Sequence, residues 1–113
     1  MKKIEAIIRP EAFQTLKDGL SAVGISGLTV TEAAGCGKQQ GKKGVFRGTS
    51  FEIQLVPRVK VEMVIEESRL DEIVDVIIDS CSTDTIGDGK IFISSIEEVI
   101  RIRSGERGKE AVL

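Results

Sequence analysis

Apolar and polar residues alternate in two separated stretches of this chain, and that period of two predicts two strands. Residues 3–9 put Ile4, Ala6 and Ile8 on one face, as a half-buried strand requires. Residues 57–65 repeat the pattern, with Val59, Val61, Met63 and Ile65 set against Lys60, Glu62 and Val64. A weaker alternation over 26–34 sets Leu28 and Val30 against Thr29 and Thr31. A last strand is predicted over 91–95 and again over 99–103. Between these lie two helical patterns. Pro10 stops the first strand and opens a helix, where its missing N–H costs nothing. Phe13, Leu16, Leu20 and Val23 follow at helical spacing, and Gly24 supplies the stop. Ser68-Arg69-Leu70-Asp71 resembles a capping box. After it, Leu70, Ile73, Val74, Ile77, Ile78 and Cys81 form a second buried stripe.

The order strand, helix, strand, strand, helix, strand is that of an α+β, ferredoxin-like βαββαβ domain. It predicts an antiparallel sheet with two helices on one face. The other face needs cover, which symmetric association supplies. One domain over 1–113 suits the length. Three segments lack a period. Residues 36–55, between the second and third strands, are rich in glycine and charge and read as a flexible loop. A loop of more than about 15 residues in a small domain is usually functional. Residues 82–90 contain Gly87-Asp88-Gly89-Lys90, and residues 104–113 read as a mobile tail.

Composition removes several functions. Sixteen basic and 18 acidic residues leave a net charge of −2, unlike the basic surface of a nucleic-acid binder. Strand-borne aromatics for stacking on bases are also missing. No run of 18 apolar residues suggests a membrane span. The opening Met1-Lys2-Lys3-Ile4-Glu5 carries too few apolar residues for a signal peptide. Cys36 and Cys81 stand far apart without a CxxC spacing, and with no His in the chain a zinc site lacks its usual ligands. A reducing, cytoplasmic setting is expected. The absence of His also removes the commonest general base, so no enzymatic activity is expected.

The remaining chemistry suits anions. The glycines of Gly87-Asp88-Gly89-Lys90 allow close approach of backbone N–H groups to a phosphate, and Lys90 adds a charge. A plain tight turn has the same composition. Arg101 and Arg103, two apart on the expected last strand, would share a face and suit a bidentate phosphate, or form a solvated pair. Gly35, Gly37 and Gly41 flank Lys38 and Gln39 at the base of the long loop, as a hinge or as a ligand site. Arg58 is placed to pair with a dicarboxylate, or is an ordinary surface charge.

Four stretches together resemble the PII signal-transduction family over almost the whole chain. They are Met1-Lys2-Lys3-Ile4-Glu5-Ala6-Ile7-Ile8-Arg9-Pro10, Gly27-Leu28-Thr29-Val30-Thr31-Glu32, the run from Thr83 through Gly87-Asp88-Gly89-Lys90 to Ile93, and Val99-Ile100-Arg101-Ile102-Arg103-Ser104-Gly105-Glu106. The resemblance implies a homotrimer with ATP and ADP competing in the clefts between subunits. Gly87, Asp88, Gly89 and Lys90 would hold phosphates from one side, and Arg101 and Arg103 from the next subunit. Ile7, Thr29, Glu62 and Val64 would line the adenine pocket, and Lys38 would add a contact where the family often has Arg. Gly35 and Gly37 belong to the same site. With Mg²⁺ and ATP, 2-oxoglutarate would bind at the loop base, with Gln39 touching both the metal and the acid and Arg58 pairing with a carboxylate. The 36–55 segment, the T-loop of the family, would then be read by a partner such as an ammonium transporter or a nitrogen-metabolism enzyme.

The chain departs from the family at informative places. Its loop reads Phe46-Arg47-Gly48-Thr49-Ser50-Phe51 where the family often has Tyr-Arg-Gly-x-x-Tyr, and the chain contains no Tyr. Tyrosyl nucleotidylation is therefore excluded on chemical grounds. Arg58 stands where Lys is usual, and Asp84 and Thr85 where Gly and Lys are usual. These changes favour keeping two alternatives open: an ATP/ADP sensor without a 2-oxoglutarate response, and a slow ATPase.

Overall fold

A computed structural model of the chain describes residues 1–36 and 55–112. Seven elements follow in order: β1 (Lys2–Ile8), α1 (Phe13–Ala22), β2 (Thr29–Gly35), β3 (Val56–Ile65), α2 (Leu70–Cys81), β4 (Gly89–Ser95) and a short α3 (Lys109–Val112). The four strands form one sheet in the order β2-β3-β1-β4, and every neighbouring pair is antiparallel. This is the ferredoxin-like arrangement, with β1 and β3 central.

The period-two pattern sets which side of the sheet is buried. Ile4, Ala6 and Ile8 of β1 and Val61, Met63 and Ile65 of β3 point to the helices and are essentially inaccessible. Register locks the two sets together, with Ile4 opposite Met63 and Ala6 opposite Val61. A slip of one residue would turn every one of them to the other face. Leu16 and Leu20 of α1 and Ile73, Ile77 and Cys81 of α2 complete the core. Full burial of each large aliphatic side chain contributes roughly 1.5–3 kcal/mol. The helices approach closely where α1 carries Gly19. A methyl there would lie 3.0 Å from Ser80 Oγ and 3.2 Å from Val76 Cγ1.

Local starts and stops differ from the sequence expectation in several places. Pro10 opens a 3-10 turn, Pro10–Ala12, rather than α1 itself. The capping box at Ser68 does not form. A second 3-10 turn, Glu67–Arg69, precedes α2, which begins at Leu70 without a side-chain cap. Arg69 instead fixes this junction, donating to Val23 O at 2.6 Å and to Glu72 Oε1 at 2.9 Å. In α2, Ile78 is half exposed while Val76 packs on the core, because the stripe rotates slightly away from the apolar count. The second strand begins at Thr29, not at 26. The largest correction is at 99–103. Only Ile100 forms an isolated bridge, to Arg107, and residues 102–104 are a turn. The tail folds back, with Arg101 N donating to Glu106 O at 2.9 Å and Gly108 N to Val99 O at 3.0 Å. Gly105 and Gly108, at φ +72° and +77°, make that reversal possible. The expected mobile tail ends in α3.

The sheet face away from the helices carries charge. Lys3 Nζ lies 2.8 Å from Glu62 and 3.2 Å from Glu5, and Lys60 lies 3.8 Å from Glu62. These contacts raise the pKa of Lys3, through Glu62 first and then Glu5, and lower that of Glu62, through Lys3 first. Phe92, on the same side of β4, remains half exposed. Among the described residues no helix is long and apolar enough to cross a membrane.

Candidate functional site

The segment between α2 and β4 is built on hydrogen bonds within itself and to the end of β1. Asp88 accepts from Thr83 N at 2.7 Å and from the Thr83 hydroxyl, with longer contacts from Thr85 N and Oγ1. Asp84 holds the turn at φ +63°, a left-handed conformation that Asp tolerates better than most side chains. Arg9 reaches in from the end of β1. Its Nε donates to Gly87 O at 3.0 Å, and its Nη2 donates to Ile86 O at 2.8 Å and Thr85 Oγ1 at 3.2 Å. The Asp88 carboxyl is held at about 2. Hydrogen bonds from Thr83, side chain then backbone, are the main cause, followed by Thr85 N–H and the Arg9 charge.

The turn ends on two glycines that the geometry requires. Gly87 and Gly89 have φ of +102° and +115°. A Cβ on Gly89 would fall 1.8 Å from Ile7 O, because Gly89 pairs with Ile8 at the very start of β4. A Cβ on Gly87 would meet Arg9 Nη2 at 2.9 Å and Arg58 Nη2 at 3.5 Å. Two guanidinium groups therefore flank the Gly87 backbone. Arg58 lies inside β3, opposite Ala33, and donates to Pro57 O at 2.9 Å.

The expected site residues fall into separate groups within one chain. Ile7, Asp88, Gly89 and Lys90 line one cleft, with Ile8, Ile77, Ile78 and Cys81 as its apolar floor. Thr29, Glu62 and Val64 line a second cleft, together with Lys3, Val99 and the tail residues Ala111 and Val112. Gly35 closes β2 opposite Val56. Arg101 and Arg103 are not side by side on a strand. Arg101 Nη1 is bound to Glu106 Oε1 at 2.8 Å and its Nη2 to Glu110 O at 2.8 Å, while Arg103 lies exposed in the turn. Gly37, Lys38 and Gln39, with the loop motif 46–51, lie outside the described residues. Among the described residues, no cluster of three or more acidic or cysteine side chains could hold a metal ion. Arg9 was missed as a site residue. Next to Pro10 at the end of a strand it shows nothing unusual, and its partners lie more than 75 residues away.

The fold and this turn define a ferredoxin-like α+β domain with a glycine-bearing turn at one sheet edge. Comparison with known proteins gives the family. The model of the family described as nitrogen regulatory protein P-II matches residues 1–106. Nitrogen regulatory protein P-II 2 of Methanothermobacter thermautotrophicus is 49% identical over 112 residues, covering 99% of this chain and 97% of that protein. Nitrogen regulatory protein P-II of Azospirillum brasilense is 46% identical over 99% of this chain and the whole of its own. Among solved structures, Arabidopsis thaliana PII bound to citrate superposes with a TM-score of 0.79 at 35% identity, covering 98% of this chain and 88% of that one. The chain belongs to the nitrogen regulatory protein P-II family.

Proposed function

We propose that this chain is a nitrogen-regulatory sensor that binds ATP and ADP in a homotrimer and reports the bound state to partner proteins through residues 36–55. The observation that carries the reading is the turn ending at Lys90. Gly87 and Gly89 are both at positive φ, one of them pressed against the β1 backbone, and a lysine follows at the sheet edge. Backbone of this kind forms an anion-binding concavity, and the adjoining cationic side chains complement phosphoryl charge.

In the assembly, Gly87, Asp88, Gly89 and Lys90 hold phosphates from one subunit. Asp88 does so through its backbone, because its carboxylate is turned to Thr83 and Thr85. Arg101 and Arg103 come from the neighbour, with Arg101 exchanging the Glu106 carboxylate for a phosphate oxygen. Ile7, Thr29, Glu62 and Val64 line the adenine side. The separation of these residues into two clefts of one chain suits a site completed only between subunits. The charged open sheet face and half-exposed Phe92 suit a buried subunit contact. Mg²⁺ enters with ATP, since it is usually held by substrate phosphates plus one or two protein groups, here Gln39. 2-Oxoglutarate then binds by Gln39 and Arg58, and the Arg58 guanidinium beside Gly87 favours a carboxylate there. The citrate bound in the Arabidopsis structure supports a carboxylate ligand for this family.

Signalling is a population shift, in which effectors at the loop base favour one loop conformation. A coupling of about 1–3 kcal/mol is enough to change partner affinity several-fold to a hundredfold. The partner class is an ammonium transporter or a nitrogen-metabolism enzyme, and the setting is cytoplasmic. The regulatory character of the relatives favours binding over catalysis. A thermal-shift screen with ATP, ADP and AMP, each with and without 2-oxoglutarate, tests the reading, because native-state ligands raise stability by mass action. ATP and ADP stabilise and AMP does less. A response to ATP unchanged by 2-oxoglutarate selects the energy-sensor alternative, and phosphate release over time selects the slow ATPase.

A further inference from the structure

Arg9 braces the 85–88 turn from outside it. Its guanidinium takes the carbonyls of Ile86 and Gly87 at 2.8 and 3.0 Å, touches Thr85 Oγ1 at 3.2 Å, and lies 3.7 Å from Asp88 Oδ1. A peptide unit is planar and trans, so its C=O and N–H point in opposite directions. Drawing the Ile86 carbonyl toward Arg9 therefore turns the Gly87 N–H away from it. Drawing the Gly87 carbonyl toward Arg9 does the same for the Asp88 N–H, which keeps a long contact of 3.4 Å to Thr85 O. Two successive N–H groups are thus aimed to one side of the turn by a single side chain from just past the end of β1. Lysine cannot reproduce this, because it is a point charge without a planar fork.

We infer that Arg9 is a positioning residue for anion binding by this turn, setting the Gly87 and Asp88 N–H groups toward an incoming phosphoryl group. This deepens the nucleotide reading and rests on it. The Arg9 contacts within the turn are two carbonyls, a hydroxyl and, at 3.7 Å, the Asp88 carboxylate, so its charge is engaged inside the turn rather than turned outward to read the ligand. A structural role alone would cost stability and leave affinity intact, whereas a positioning role costs affinity even when charge and fold are kept.

The test uses the full chain with Arg9→Lys and, as a second variant, Arg9→Gln, with circular dichroism to confirm folding. Calorimetric titration with ATP is paired with ¹H–¹⁵N spectra of the ligand-free protein. Arg9→Lys is expected to weaken ATP binding at least tenfold with a melting temperature close to wild type, and to shift the Gly87 and Asp88 amide resonances before any nucleotide is added. ATP affinity within twofold of wild type in Arg9→Lys, or unmoved Gly87 and Asp88 resonances, overturns the inference. A wild-type chain that itself gives no ATP heat overturns the proposed nucleotide site and the ligand half of the inference together. The ligand-free spectra then decide separately whether Arg9 sets the turn.

Discussion

Replacing Gly89 by alanine gives a sharp test of how the turn is joined to the sheet. The added Cβ would stand 1.8 Å from Ile7 O, 3.0 Å from Ile7 C and 3.3 Å from Ile8 Cα. All three are backbone atoms of β1, so no rotamer change relieves the clash. The φ of +115° is itself costly for an L-residue, by about 1–3 kcal/mol. Relief requires β4 to peel from β1 at the Ile8–Gly89 pair, giving a total loss of about 2–4 kcal/mol, in the range that backbone strain and core damage produce. At about 4 °C per kcal/mol for a domain near this size, the melting temperature falls by roughly 8–16 °C. Two controls sharpen the reading. Gly87→Ala shares the positive φ but meets the far end of a flexible arginine, so it loses less, about 1–2 kcal/mol. Gly27→Ala has open space around it and changes stability by less than about 0.5 kcal/mol. Thermal and denaturant unfolding at one fixed protomer concentration, to hold association constant, rank the three. Gly89→Ala as stable as Gly27→Ala, or more stable than Gly87→Ala, would refute the geometry argued for this strand start.

Other outcomes follow from the same structure. Ile73→Ala empties a fully buried site in α2 and costs about 2–5 kcal/mol in denaturant unfolding; a loss under about 1 kcal/mol would place Ile73 outside the core. The Asp88 carboxyl, ordinarily at 3.8, is held at about 2, so its folded pKa is depressed. Its stabilising contribution is complete above pH 4 and is lost as pH falls toward 2. The stability difference between wild type and Asp88→Asn therefore narrows over that interval, and a difference independent of pH contradicts the hydrogen-bonded carboxylate. Incubation with a tyrosine-directed uridylyl- or adenylyltransferase leaves the chain unmodified, because it has no Tyr; a nucleotidylated tryptic peptide counts against that.

The sheet was readable because β1 and β3 keep a period of two, with Lys3, Glu5, Lys60 and Glu62 on the alternate positions and Ile7 and Val64 breaking the polar side. The buried set Ile4, Ala6, Ile8, Val61, Met63 and Ile65 could be named from sequence alone. The α2 stripe was readable for the same kind of reason, with Ile73, Ile77 and Cys81 each four residues apart. The tail was misread because Val99-Ile100-Arg101-Ile102-Arg103 alternates just as well. Alternation makes a strand only where a neighbouring edge supplies pairing. Here two glycines at positive φ and the Arg101–Glu106 pair bend the segment back on itself, and neither effect is local enough to announce itself. The Asp88 carboxylate accepting from Thr83, five residues earlier, fits no standard local turn motif and could not be read from the sequence. Nor could the role of Arg9, since its hydrogen bonds span 76 to 78 residues, and the division of the expected site residues between two clefts of one chain is a property of the fold rather than of any motif.

Titration of ATP into the purified wild-type chain, followed by calorimetry, bears most directly on whether the glycine turn serves a phosphorylated ligand. One saturable site per chain, with ADP competing for it, is the predicted result. Neither heat nor saturation at millimolar ATP, from protein whose unfolding transition is cooperative, would contradict it.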